Sequence, residues 1–146
     1  MKKNLLCSIL SITLILLFFS CSGFKTYKLD GMWQLKTVED NGGNEIKVDT
    51  VFYSFERETI FSFTTTTENS KSASHLFLGY MDMPSGDKVH VQLNDIFTGN
   101  TENINLFLSL SGWSSADITF DIKKYNSSNL VLFDNGTGKT FTLRKF

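Results

Sequence analysis

The chain reads as an all-β protein: an antiparallel meander of about eight or nine short strands closed into a barrel and preceded by a signal segment. Three observations carry that reading. Beyond residue 30 the apolar residues recur at every second position, the period of a strand with one buried and one wet face. Clusters of Asp, Asn, Gly and Ser separate those alternating runs. The first twenty residues have a different composition: a basic start at Lys2 and Lys3, then a run from Leu5 to Phe19 broken only by Cys7, Ser8, Ser11 and Thr13.

That leader is an export signal, too short to cross a bilayer comfortably, since a span needs about 20 apolar residues. It ends on Leu17-Phe18-Phe19-Ser20-Cys21. A small residue followed at once by cysteine resembles the cleavage site of bacterial lipoproteins. The resemblance implies cleavage before Cys21, a diacylglyceryl thioether on its sulfur and an acyl group on its new amine. Several acyl chains hold a protein to a membrane essentially permanently, each buried methylene adding about 0.8 kcal/mol. The alternatives are an uncleaved anchor, or ordinary cleavage that leaves a soluble chain. The expected division is therefore a signal peptide over 1–20, a lipidated tether over 21–28 and a barrel domain over 29–146. The tether lacks an acidic cluster, and Ser22 rather than Asp follows the cysteine. By the same resemblance, the expected address is the cell envelope: anchored in the outer membrane, on its periplasmic rather than its outer face.

Cys7 leaves with the signal and Cys21 carries lipid, so no disulfide staples the fold. Without Lys2 and Lys3 the mature part has 12 basic against 15 acidic residues. No basic run exists, which excludes nucleic acid as an expected partner.

Taken along the chain, the first strand precedes the turn Asp40-Asn41-Gly42-Gly43-Asn44. Ile46 and Val48 are even, whereas Val51, Tyr53 and Phe55 are odd, so a bend or bulge is expected near Thr50. Thr64 to Thr67 is β-branched and suits a strand. Leu76 to Met83 is apolar on both faces, as in a doubly covered strand or an exposed rim. Pro84-Ser85-Gly86-Asp87 is a turn before the alternation of Val89, Val91 and Leu93. Thr98 to Asn103 reads as a polar loop. Ile104, Leu106, Leu108 and Leu110 alternate and predict another strand. Gly112 to Ala116 could form one helical turn. Ile118, Phe120 and Ile122 alternate, Asn126 to Asn129 turns, and Asp134 to Gly138 makes the hairpin before Phe141 and Leu143.

Both ends of this domain resemble the lipocalin family. Leu29-Asp30-Gly31-Met32-Trp33 matches its G-x-W opening, and Phe120-x-Ile122, Leu130-Val131-Leu132 and Lys139-Thr140-Phe141-Thr142-Leu143-Arg144 are similar to the ending of small lipocalin-like domains on bacterial lipoproteins. The resemblance implies a reduced eight-stranded barrel in which Gly31 lets the chain turn, Trp33 closes one end and Arg144 lies across it. The T-D-Y motif and the C-terminal helix of larger lipocalins are absent.

No chemistry assembles. His75 and His90 are far apart and His90 shares a face with Lys88 and Gln92, as a solvated side chain would. Metal ions need three or four converging ligands, so neither metal nor cofactor is expected. Gly136-Thr137-Gly138-Lys139-Thr140 lacks the first glycine and the following helix of a phosphate loop. Leu110-Ser111-Gly112 is not a nucleophile elbow. Asp82, Asp87 and Asp95 surround one turn without a calcium-loop spacing. Asn126-Ser127-Ser128 and Asn135-Gly136-Thr137 read as turns rather than glycosylation sites. An enzyme is not expected.

What remains is an interior rich in rings: 18 of the 126 residues after the signal are aromatic. Phe55, Phe61, Phe63, Phe77, Leu106 and Leu108 would line it. An eight-stranded barrel is just wide enough to be filled by side chains or to hold one small ligand. Two readings stay open: a non-enzymatic, membrane-tethered protein binding a small hydrophobic ligand, and a filled barrel serving an envelope complex through exposed aromatics at Leu76 to Met83 or Trp113.

Overall fold

The computed structural model describes residues 28–48, 50–56, 59–68, 71–93 and 101–146, with side chains at 59–74 and 101–103 outside the description. The strands are β1 (Gly31–Glu39), β2 (Glu45–Lys47), β3 (Val51–Glu56), β4 (Thr59–Glu68), β5 (Lys71–Ser85), β6 (Lys88–Leu93), β7 (Asp117–Tyr125), β8 (Asn129–Asp134) and β9 (Lys139–Lys145). Among the described residues one helix, α1 (Thr101–Ser111), lies between β6 and β7. Every neighbouring pair is antiparallel in the order β2-β1-β3-β4-β5-β6-β7-β8-β9, and β1 also pairs with β9 from Trp33↔Lys145 to Glu39↔Thr140. The sheet thus curls into a lipocalin-like barrel, its first long strand lying between β3 and β9.

Alternation does most of this work. Val51, Tyr53 and Phe55 are buried along β3, Val89, Val91 and Leu93 along β6, and Phe141 and Leu143 along β9. Their neighbours face outward, so each strand supplies one apolar row to a common core. The phase slip near Thr50 is a bend that separates β2 from β3. β2 pairs only with the last three residues of β1, whereas β3 pairs with its first four. Thr64 to Thr67 lies in β4, and along β5 Phe77, Gly79 and Met81 are buried while Leu76 and Tyr80 are exposed.

The segment from Ile104 to Leu110 is the main departure, because it is helical. An apolar run this short satisfies either period. Read as a helix, Ile104, Phe107, Leu108 and Ser111 form one stripe at the i, i+3, i+4, i+7 spacing, and Phe107 and Ser111 are its buried members. Gly112 ends the helix at φ +75°, a left-handed conformation that glycine adopts freely, and its amide donates to the Leu108 carbonyl at 3.0 Å. Consequently Gly112 to Ala116 forms no helical turn. Of the expected loop at 98–103, residues 101–103 belong to α1 and 98–100 lie outside the described residues.

The two ends differ in what fills them. At the lower end, where β1 begins, Leu29 and Trp33 lie under the strands. At the upper end, the β1–β2 and β8–β9 hairpins meet α1 and the segment that returns the chain to β7. Among the described residues no helix is long and apolar enough to cross a membrane.

Candidate functional site

The lower end is built around Trp33. Its indole Nε1–H donates to the Leu29 carbonyl at 2.8 Å, so the one polar atom of a fully buried ring is satisfied. The Lys145 ammonium stands 4.4 Å from the ring centroid and donates to the Asp30 carbonyl at 2.6 Å. Gly31 has φ +118°, and a Cβ there would collide with that ammonium. Gly31 therefore both turns the chain into β1 and leaves room for the cation.

This corrects the role expected of Arg144. That side chain is exposed and its residue pairs with Gln34 and Asn129. The reason is parity: Lys145, not Arg144, shares the inward face of Phe141 and Leu143. A lysine does here what the resemblance assigned to arginine, by a cation–π contact.

The upper end is closed by side chains that no barrel strand supplies. Phe107 of α1 packs 5.0 Å from Phe77 of β5, 4.9 Å from Trp113 and 6.4 Å from Tyr53, measured between ring centroids. Trp113 in turn meets Tyr53 at 5.4 Å and Phe120 at 5.1 Å, and Phe120 meets Phe141 at 5.4 Å. These are mostly edge-to-face contacts, the favourable arrangement for ring quadrupoles. Within this apolar mass sits one polar knot. Trp113 Nε1–H donates to the Tyr53 hydroxyl at 2.8 Å, and Ser111, fully buried, is also bonded to that hydroxyl. Burial pushes the Tyr53 phenol far above its usual pKa against the opposing hydrogen bonds, so it stays neutral.

The returning segment is pinned from outside. Asp134, itself buried, accepts from Ser114 Oγ at 2.8 Å, Thr137 Oγ1 at 2.7 Å and the Gly136 amide at 2.8 Å. Burial works against its charge, but these donors outweigh burial and hold the carboxyl below its usual range. Lys139 Nζ donates to the Gly112 carbonyl at 3.0 Å. Where α1 ends against the β1–β2 corner, a cavity of about 130 Å³ is bounded by Val38, Ile46, Val48, Leu110, Gly112 and Lys139. Ligand sites usually offer about 300 Å³ or more.

The other expected lining residues fall as follows. Phe55 and Phe77 are buried inside the barrel. Leu106 and Leu108 are not on a barrel strand but on α1, half-buried beside Phe107, because that run is helical. Phe61 pairs with Ser54 and Leu78, and Phe63 with Phe52 and Leu76, while their side chains lie outside the described residues. So does Cys21. Trp113, expected as an exposed aromatic in the partner reading, is buried. Phe107 and Trp113 are lining residues that a strand reading of this segment leaves out; the helical stripe ending at Ser111 is the signal for Phe107, and Trp113 follows just beyond the Gly112 stop.

On the outer wall His90 is not simply solvated. Its Nδ1 lies 2.8 Å from Asp82 Oδ1 and its Nε2 2.9 Å from Asp117 Oδ1, a bridge across β5, β6 and β7. Both ring nitrogens can donate only when the imidazole is charged. The hydrogen bond to Asp117, with that to Asp82, raises its pKa despite partial desolvation. Among the described residues no three His, Cys, Asp or Glu side chains converge as metal ligands.

A small antiparallel barrel, sealed by a tryptophan under a cation at one end and by a helix at the other, has the form of a lipocalin-like protein. The profile of the lipocalin-like domain family matches residues 15–146, and the chain belongs to that family. No match was found among curated proteins. Among solved structures, a lipocalin-like protein from Bacteroides uniformis is 24% identical with a TM-score of 0.65, covering 82% of this chain and 99% of its own. An uncharacterized protein from Bacteroides eggerthii is 21% identical with a TM-score of 0.65, covering 81% and 99%. Japanin from Rhipicephalus appendiculatus, bound to cholesterol, is 13% identical with a TM-score of 0.53, covering 83% and 78%. These likenesses speak to the fold.

Proposed function

We propose that the chain is a membrane-tethered lipocalin-like lipoprotein whose barrel takes one small hydrophobic ligand beneath α1, without making or breaking a covalent bond. The observation that carries this reading is where the upper filling comes from. Phe107 and Trp113 belong to the connection between β6 and β7, not to the wall. Displacing that connection would leave a cup lined by Tyr53, Phe55, Phe77, Phe120 and Phe141. The Tyr53 hydroxyl, freed of its Trp113 partner, would then offer a ligand one group that both donates and accepts in an otherwise apolar site, the usual composition of such pockets. Barrels of this size have room for filling side chains or for one small ligand, and Japanin, of similar fold, is bound to cholesterol. The lipid on Cys21, the outer-membrane anchor and the periplasmic face belong to the same reading and rest on the leader's resemblance.

The two tryptophans make the test direct, since Trp33 lies at the lower end and Trp113 at the upper. Titration with a fluorescent sterol or fatty-acid probe is expected to quench Trp113 in Trp33→Phe at one probe per chain and to spare Trp33 in Trp113→Phe. Equal quenching of both, or none at saturating probe, would favour the filled-barrel reading. The packing of the described interior and the exposed Leu76 and Tyr80 support that second reading. For the anchor, Cys21→Ser is expected to move the protein to the soluble fraction and remove the acyl mass.

A further inference from the structure

The lower end carries an exposed surface that closure of the barrel does not require. Trp33 and Leu29 already seal that end from within. Outside them Met32 and Tyr125 are each 40% exposed and Phe146 is 72% exposed. The Phe146 amide bonds the Met32 carbonyl at 2.9 Å, and its ring stands edge-on to Phe52 at 5.1 Å, so these apolar groups are held in place. The Tyr125 ring lies 6.0 Å from Trp33 and carries the Lys28 ammonium 5.7 Å from its centroid.

Cations ring this patch. Lys123 is engaged by Asp121, and Lys145 by Asp30 and Trp33. Lys124 and Arg144 are exposed, and among the described residues neither has a partner. Among the described residues, the acidic groups at this end are the half-buried Asp30, Glu56, which is already engaged, Asp121, held by two lysines, and Asp87, bonded by Ser85. The opposite end exposes Glu39, Asp40 and Glu45.

The chain also enters here. Lys28 is tied to the Gly86 carbonyl, next to the patch. Seven residue steps separate it from Cys21, a reach of at most about 25 Å when fully extended. A tyrosine and apolar side chains set among free cations match the headgroup zone of an anionic bilayer.

We propose that the lower end of the barrel is a docking face for an anionic phospholipid surface, which turns the α1 end away from the membrane. The orientation rests on the Cys21 anchor proposed above, while the docking chemistry is independent of it. A chain from Ser22 to Phe146 holds the whole core from Leu29 to Leu143 and has no anchor, so it isolates the face. Cosedimentation is expected to show binding to vesicles of equal phosphatidylglycerol and phosphatidylcholine and none to phosphatidylcholine alone. Each cation near such a surface adds about fivefold in partitioning, so Lys124→Glu with Arg144→Glu is expected to weaken binding at least about tenfold. Phe146→Ser with Met32→Ser weakens it too, and Glu39→Gln with Glu45→Gln leaves it intact. An unchanged near-UV spectrum shows each variant folded. No binding to the anionic vesicles, full binding by the charge-reversed variant, or a dimer in light scattering that the same substitutions abolish would overturn the proposal. None of these outcomes depends on whether Cys21 is acylated.

Discussion

The two ends of the barrel are sealed by opposite means. At the lower end a strand residue, Trp33, is buried under a cation from another strand, with β1 held on both sides by β3 and β9. At the upper end the plug is Phe107, carried by an eleven-residue helix outside the sheet. A helix that short is marginal on its own, so its order depends on the ring it buries and on the pins at Gly112 and Ser114. On the proposed reading, the difference says which part moves: losing the lower seal would break the sheet, whereas losing the upper one would open the cup.

Trp33→Ala is expected to be the more damaging change, about 4 kcal/mol in denaturant unfolding, because it leaves a cavity, an unpaired Leu29 carbonyl and a stranded ammonium. Phe107→Ala should cost less, about 3 kcal/mol, and should raise the affinity for an apolar probe, a gain that Trp33→Ala lacks. Equal losses with no gain in binding would erase the distinction between the ends.

A finer division lies within the lower end. Lys145→Met should cost about 1–2 kcal/mol, through the lost cation–π contact and the bond to Asp30. Arg144→Ala should stay within about 0.5 kcal/mol. The reverse order in thermal unfolding would restore Arg144 to the seal.

The smallest effect is on the outer wall. The folded-state pKa of His90 is raised above its unfolded value. Its bridge therefore stabilises fully below the unfolded pKa and fades as pH rises through the folded one. The three groups are well exposed, so screening keeps the contribution below about 1 kcal/mol. Wild type should exceed His90→Gln in stability at pH 5.5 and lose that margin by pH 9. A margin that is the same at both would show the bridge to be electrostatically inert.

The ends were also unequally legible. Gly31-x-Trp33 announced the lower seal, and the alternation from Ile118 to Leu143 announced the strands of the wall, where Ile118, Phe120, Leu130, Leu132, Phe141 and Leu143 are buried in turn. The same parity points to Lys145, and the family habit of an arginine obscured it. The upper half was hidden because Ile104 to Leu110 fits two periods at once. Only the interior choosing Phe107, at the centre of the helical stripe, settles which period is used. His90 shared its face with polar neighbours as expected, but the flanking aspartates come from β5 and β7, a pairing that sequence spacing does not encode.

Amide hydrogen exchange of the native protein compares the two ends in a single measurement. The amides of α1 are expected to exchange through local opening, several orders of magnitude faster than those of β1 and β9, whose protection follows global unfolding. Protection of α1 equal to that of β1 would mean that the helix leaves the barrel only when the whole molecule unfolds, and the cup beneath it would have no way in.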